Sequence, residues 1–343
     1  MTPPARELSV AVFRRMVGAH YRKHGRHELP WRKTRTHLKN NGEASGAFSE
    51  REAAAEREAY RDTLSASRSD SQPENASRSR HASLSDSGVI FEMGSMDPYK
   101  ILVSEVMLQQ TQVERVLPFY TVFVKRFPTA RRLADAPLSE VLVAWQGLGY
   151  NRRAKMLHAA AREVVARHGG AVPRSVSELE RLPGVGPYTA RAVAAFAWNE
   201  DVVLVETNIR TAVIHHFFPE DEKVGDKEIE AVLARALPKG KAREWYWALM
   251  DYGTHLKRSG VRVNTRSAHH VPQKKFAGSM REARGAVLRE LATERRFSSR
   301  FDLEEKVRRK IGTERHAQIA EAIKTLVAEG FIEKDGPRYR LAQ

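Results

Sequence analysis

Two glutamates and one glycine-rich turn are the residues of this 343-residue chain whose types and spacing could do chemistry. The turn, LPGVGPYTA (Leu182 to Ala190), joins two amphipathic stretches, and Glu206 follows Tyr188 by eighteen residues within VETNIR (Val205 to Arg210). Gly184 and Gly186 permit a tight backbone, and Pro187 suits the first position of the next helix. The N–H groups of Gly184, Val185 and Gly186, with the positive end of that helix, could then hold a phosphate. Upstream, SEVMLQQTQ (Ser104 to Gln112) sets Glu105 and Gln109 one turn apart on one helical face. Two carboxylates are what cleavage of an N-glycosidic bond requires. Each feature also has a structural reading: a loop between buried helices, an exposed surface acid at Glu105, and at Glu206 an acidic helix start stabilised by the dipole.

The bulk composition narrows the partner. A formal charge of +16 and a pI near 10.1 favour a polyanion, because each Lys or Arg set on a phosphate releases condensed counterions. No apolar run reaches the length of a membrane span and the start lacks a signal-peptide core, so a cytoplasmic, nucleoid-associated protein with no membrane partner is expected. With no cysteine there is no disulfide, no thiolate zinc site and no cysteine-ligated iron–sulfur cluster.

These residues need elements to position them. Residues 7–31 read as one amphipathic helix closing on HELPWR, giving residues 1–34 as an N-terminal helix of the main fold. Residues 35–96 hold 12 serines and few large apolar side chains, the composition of a disordered insertion. From 97 to 275 helical periodicity is almost continuous, with segments at 98–111, 112–126, 138–145, 152–168, 176–182, 187–198, 206–217, 226–236 and 241–257. Residues 276–343 predict helices near 279–292, 302–311 and 314–329, then a hairpin turning at Asp335-Gly336, the outline of a winged helix-turn-helix. The fold class is therefore mainly α.

DPYKILVSEVMLQQTQVERVLPFY, WQGLGYNRRAKMLHAAAREV, LPGVGPYTARAVA and ETNIRTAV resemble, in order and spacing, the adenine DNA glycosylases of the MutY type within the helix-hairpin-helix superfamily. With LPWR and ALMDYG the likeness covers residues 7–34 and 97–257. The resemblance implies a two-lobed helix-hairpin-helix fold with the site in the cleft between lobes, and a base flipped out of a duplex carrying a mismatch or lesion. By it, Gln109, Gln110 or Tyr150 fills the gap, while Gly184, Val185, Gly186, Lys257 and Arg258 contact DNA. Glu105 would be the general acid on the purine and then orient water, and Glu206 would stabilise the positive sugar. Tyr188 would present its ring or hydroxyl, and Asn208 would fix a carboxylate or water. Tyr188 stands where bifunctional relatives carry a Schiff-base lysine, so a monofunctional enzyme is expected.

The pattern departs from the family at three places. Glu206 replaces the usual aspartate and is longer by one C–C bond, about 1.5 Å. His255, Leu256 and Lys257 stand where the cluster's cysteines should begin, and the basic run from His255 to Lys275 is expected to contact phosphate directly. A winged helix replaces the module that reads oxidised guanine, with Lys334, Arg338 and Arg340 of its wing as phosphate candidates. His215-His216 and His269-His270 suit packing or phosphate contact, Trp245 and Trp247 suit the core, and no metal is expected beyond a monovalent cation in the hairpin. The expected activity is hydrolysis of adenine opposite guanine or 8-oxoguanine, by a monomer. A glycosylase for uracil, thymine or an alkylated purine, and a non-catalytic DNA-binding regulator, are the alternatives.

Overall fold

The computed structural model describes residues 9–34, 96–269, 275–294 and 297–343. The proposed insertion lies outside them except for Met96, which donates its N–H to the Ala197 carbonyl at 2.9 Å. Fourteen α-helices carry the described chain: α1 (Val10–His24), α2 (Pro98–Leu108), α3 (Val113–Arg126), α4 (Ala130–Ala134), α5 (Leu138–Trp145), α6 (Arg152–His168), α7 (Val176–Arg181), α8 (Pro187–Trp198), α9 (Thr207–Phe217), α10 (Asp226–Ala236), α11 (Ala242–Arg258), α12 (Met280–Glu294), α13 (Arg300–Ile311) and α14 (His316–Ala328). None is long and apolar enough to cross a membrane.

The single helix expected over 7–31 is interrupted. α1 ends where Gly25 caps it, its N–H donating to Tyr21 O, and Pro30 opens a separate 3-10 turn through Arg32. The proline has no N–H to donate and forces its predecessor out of helical geometry. α4 was not expected; Thr129 caps it by accepting the Arg132 N–H at 3.2 Å. The apolar run Val202 to Val205 pairs with no strand among the described residues; the Tyr246 hydroxyl instead donates to Val202 O at 2.9 Å and accepts from Leu204 N at 3.4 Å.

α2 is buried almost all round, from Tyr99 to Met107, and forms the floor on which α3 and α8 pack. α11 lies against α1 and α9, and its Gly253 allows a very close approach: a Cβ there would stand 2.0 Å from the backbone oxygen of Asn208. Backbone cannot give way as a side-chain tip can. Gly253→Ala is therefore expected to destabilise the chain by about 1–3 kcal/mol in denaturant titration, even though alanine is the better helix former. An equal or higher midpoint would show that α9 yields freely.

The C-terminal unit has the expected outline plus one added strand. β1 (Ser298–Ser299), β2 (Ile332–Asp335) and β3 (Arg338–Leu341) form an antiparallel sheet in the order β1-β3-β2, turning at Gly336 with φ +57°. The unit docks on the rest of the protein through α12 against α5 and through the Lys155 ammonium, which binds the carbonyls of Glu329 and Gly330.

Candidate active site and nucleic-acid interface

Glu105 is not the exposed acid that a lone glutamate on a helix suggests. It is 6% exposed in the middle of α2, where its Oε2 accepts the Tyr188 hydroxyl at 3.2 Å. Burial raises its pKa to about 7; the Tyr188 hydrogen bond and the positive Arg32 pull it down, and the charge of Glu206 pushes it up. The group is thus poised to hold a proton at neutral pH and to release it on demand. Tyr188, at the second position of α8, is held firmly in the phenol form by burial and by the two glutamates.

Glu206 is half-buried at the N-terminus of α9, where it makes the acidic helix start of the structural reading. Its Oε1 accepts the N–H of Asn208 and of Ile209, both at 2.8 Å, and its Oε2 accepts the Asn208 side-chain amide at 3.1 Å. The longer side chain has curled back to cap its own helix. Burial raises its pKa, against the pull of those N–H groups and of the positive Lys257 and Arg210. Lys257, half-buried at the end of α11, has its pKa lowered by burial, and the nearby charge of Glu206 opposes that drop. Arg258 points to the surface in an ion pair with Glu114 at 3.0 Å.

The turns expected to wedge a duplex have unusual backbones. Gln110 at φ +54° and Tyr150 at φ +49° are two of three described non-glycine residues with positive φ, a conformation that costs on the order of 1–3 kcal/mol and marks positions held by their surroundings. Gln110 is exposed, whereas Gln109 caps α2 and donates its side-chain amide to Thr189 at 3.1 Å. Arg281 donates to the Tyr150 hydroxyl at 2.5 Å and lies over its ring.

In the hairpin, Gly184 has φ +75° and a Cβ there would meet Met156 at 2.5 Å. The Val185 N–H is already bonded to Leu182 O at 3.1 Å and its side chain is buried. Gly184 and Gly186 are exposed, and their N–H groups bond no acceptor among the described residues, so these two are the ones that can face a phosphate.

Two positioning groups escaped the sequence reading. The Arg153 guanidinium, on α6, donates to the carbonyls of Val106, Met107, Gln109 and Gly149 and to the Thr111 hydroxyl, at 2.5–3.2 Å. It satisfies the orphan carbonyls at the end of α2 and locks the Gln110 turn to the Tyr150 turn. Asp251, 4% exposed on α11, accepts from Arg26 N, Arg26 Nε and both terminal nitrogens of Arg32 at 2.7–3.0 Å. The only signal for it was the presence of LPWR and ALMDYG at opposite ends of the motif series.

The remaining candidates have partners within the protein or lie outside the described residues. His216 bonds the Tyr252 hydroxyl at 2.8 Å and is buried enough to lower its pKa to about 4. His215 packs edge-on against His216, and His269 lies 3.7 Å from Asp226, while His270 is outside the described residues. Trp245 is in the core, and half-buried Trp247 stacks on Phe196 under the Arg32 guanidinium. In the basic run, Arg262 and Arg266 donate to the carbonyls of Lys257 and Asp221. The wing arginines are paired, Arg338 with Asp335 at 2.9 Å and Arg340 with Glu333 at 2.6 Å.

A protein-family comparison matches residues 103–239 to the HhH-GPD superfamily of base excision DNA repair proteins. An adenine DNA glycosylase of Mycolicibacterium smegmatis is 36% identical over 264 residues, which cover 71% of this chain and 87% of that protein. The chain belongs to the adenine DNA glycosylase family. The adenine DNA glycosylase of Mycobacterium tuberculosis is 42% identical over 161 residues, 46% of this chain and 53% of the relative. That of Homo sapiens is 46% identical over 112 residues, 32% of this chain and 20% of the relative. The chain thus spans most of the first relative and about half or less of the other two. As a member of this family it is a DNA N-glycosylase of base excision repair, and Glu105, Tyr188, Glu206 and Asn208 all fall within the matched domain. The family's iron–sulfur cluster does not fit: no thiolate exists to hold it, and His255 and Leu256 occupy the last turns of α11 where its ligands would begin.

Proposed function

We propose that this glycosylase hydrolyses adenine mispaired with guanine or 8-oxoguanine, as a monomer at the nucleoid, without an iron–sulfur cluster and without cleaving the strand. The observation that carries the reading is the pair of glutamates held differently by one site. Glu105 is buried with a pKa near 7 and hydrogen-bonded to Tyr188, while Glu206 is fixed by three N–H donors. Glu105 gives its proton to the purine as the C1′–N9 bond breaks, and the bonding pair leaves with the base. The cationic sugar is held by the Glu206 carboxylate, at roughly 4 kcal/mol for opposite charges about 4 Å apart. Water then adds to C1′ and returns a proton to Glu105. Tyr188 has no amine with which to form a Schiff base, so the product is an intact strand with an abasic site. The free N–H groups at Gly184 and Gly186, with the start of α8, receive a target-strand phosphate, and a monovalent cation on the hairpin carbonyls belongs to the same reading.

The test is single-turnover reaction with duplexes carrying A opposite G, A opposite 8-oxoguanine, T opposite G and U opposite G, followed by alkali. Breaks at adenine alone, and only after alkali, are the expected result. Breaks at thymine or uracil would overturn the base assignment, and breaks before alkali would overturn the monofunctional one.

A further inference from the structure

A cleft of about 1230 Å³ among the described residues is not lined by Glu105, Tyr188 or Glu206. One wall is α12, presenting Arg281, Arg284, Gly285, Leu288 and Arg289 on a single helical face; the other is the Gln110 turn, the Tyr150 turn and the tip of the hairpin. Seven cationic side chains line it against one carboxylate, Glu329, which Arg284 already neutralises through two bonds of 2.8 Å. Arg152, Lys275 and Arg289 are exposed and have no acceptor among the described residues. Phe276 stands beside them 56% exposed.

Gly285 points to a ligand as well. Glycine inside a helix weakens it, and here no packing compensates: a Cβ would meet nothing within 4 Å. Its missing side chain leaves the middle of the α12 face open to a close approach. By contrast, the C-terminal end of α14 and the arginines of the wing are engaged within the protein. The end of α14 is bound by Arg284 and Lys155, and the wing arginines are paired and lie over Phe297.

We propose that the C-terminal unit binds DNA with α12 and the Lys275-Phe276 segment, and that the cleft holds the strand opposite the one that surrenders its adenine. The inference rests on the glycosylase reading above. The Gln109-Gln110 turn divides the two chambers: Gln109 is tied to Thr189, next to Tyr188, while both glutamines line the cleft. A duplex that sends one nucleotide toward Glu105 straddles this turn and lays its other strand against α12. Arg152, Lys275 and Arg289 take phosphates of that strand, and Phe276 offers a ring face to the base left without a partner.

The experiment uses the full chain and a duplex with a non-hydrolysable adenosine analogue opposite guanine, titrated by fluorescence anisotropy over a range of salt. The double variant Lys275→Gln, Arg289→Gln is expected to lose about tenfold or more in affinity, and its slope of log K against log salt to become shallower by about 2, one for each lost phosphate contact. A single methylphosphonate at a contacted phosphate of the opposite strand should remove about half of the difference between wild type and variant, and two together should abolish it, whereas those in the target strand should leave it. Gly285→Phe should fill the cleft, weaken duplex binding at least tenfold and keep the wild-type melting temperature. An unchanged salt slope in the double variant, or methylphosphonates that act from the target strand, would overturn the proposal. Adenine release by the wild type is followed in parallel: its absence removes the glycosylase reading, while the salt slopes still decide whether α12 contacts DNA.

Discussion

Glu105→Gln is expected to lower adenine excision by about 10²–10⁴-fold and, above neutral pH, to make the folded chain more stable. The first effect follows from removing the proton donor while the amide still accepts the Tyr188 hydroxyl. The second follows from linkage. Burial, with the neighbouring charge of Glu206 adding to it, raises the folded pKa from 4.5 to about 7. A raised carboxyl pKa means that ionisation disfavours the folded state, so stability is full below pH 4.5 and is lost as pH rises through about 7. The loss at alkaline pH is roughly 3 kcal/mol, from about 1.4 kcal/mol per unit. Denaturant titrations of wild type and variant should therefore agree near pH 4, separate between pH 4.5 and about 7, and keep the full difference above it, with the variant the more stable. Wild-type single-turnover rates should fall as pH rises past about 7, and the variant should lose that limb. A variant that excises adenine normally, or one destabilised at pH 8, would remove Glu105 from the role of proton donor.

Asp251→Asn is expected to destabilise the chain by about 3–5 kcal/mol, a fall of roughly 10 °C in melting temperature. Asp251 is nearly inaccessible and receives four hydrogen bonds from two arginines, of which Arg32 is itself 4% exposed in its side chain. Burial works against its charge, but Arg32 and Arg26 hold its pKa below the ordinary carboxylate value. Its contribution is thus present above pH 3.8 and lost as pH falls through the lowered folded pKa. Neutralising it leaves the Arg32 guanidinium buried without a counter-charge, and that uncompensated charge is the larger part of the cost. Because Arg32 also draws the Glu105 pKa downward, Arg32→Met should move the alkaline limb of the excision profile to higher pH. A loss of less than about 1 kcal/mol for Asp251→Asn would mean that solvent reaches the network and screens it.

These effects lie behind motifs that were readable and contacts that were not. LPGVGPYTA and VETNIR were legible because glycine, proline and an acidic cap obey local rules: each acts on backbone within a few residues. The boundaries of α5, α6, α8 and α10 were legible for the same reason, from apolar periodicity and punctuation. Glu105 and Gln109 were placed on one face by their spacing, but spacing cannot say that the whole circumference of α2 is covered, nor that the helix stops at Leu108 and lets Gln109 turn to Thr189. Val185 offered an N–H to phosphate by position alone; the turn closes on itself and uses that N–H internally.

What the sequence determined by itself was the family, the helical fold and the absence of any thiolate for a metal cluster, and it singled out the four side chains proposed to act on a nucleotide. What only the tertiary structure decided was their chemical state and company. The Glu105 carboxyl is raised to a pKa of about 7 because distant segments exclude water from it. The Arg32–Asp251 pair joins residues more than two hundred positions apart, and α12 faces the Tyr150 turn across a cleft that neither segment contains. Desolvation and long-range pairing depend on how faces meet, and that is a property of the packed whole which no local pattern encodes.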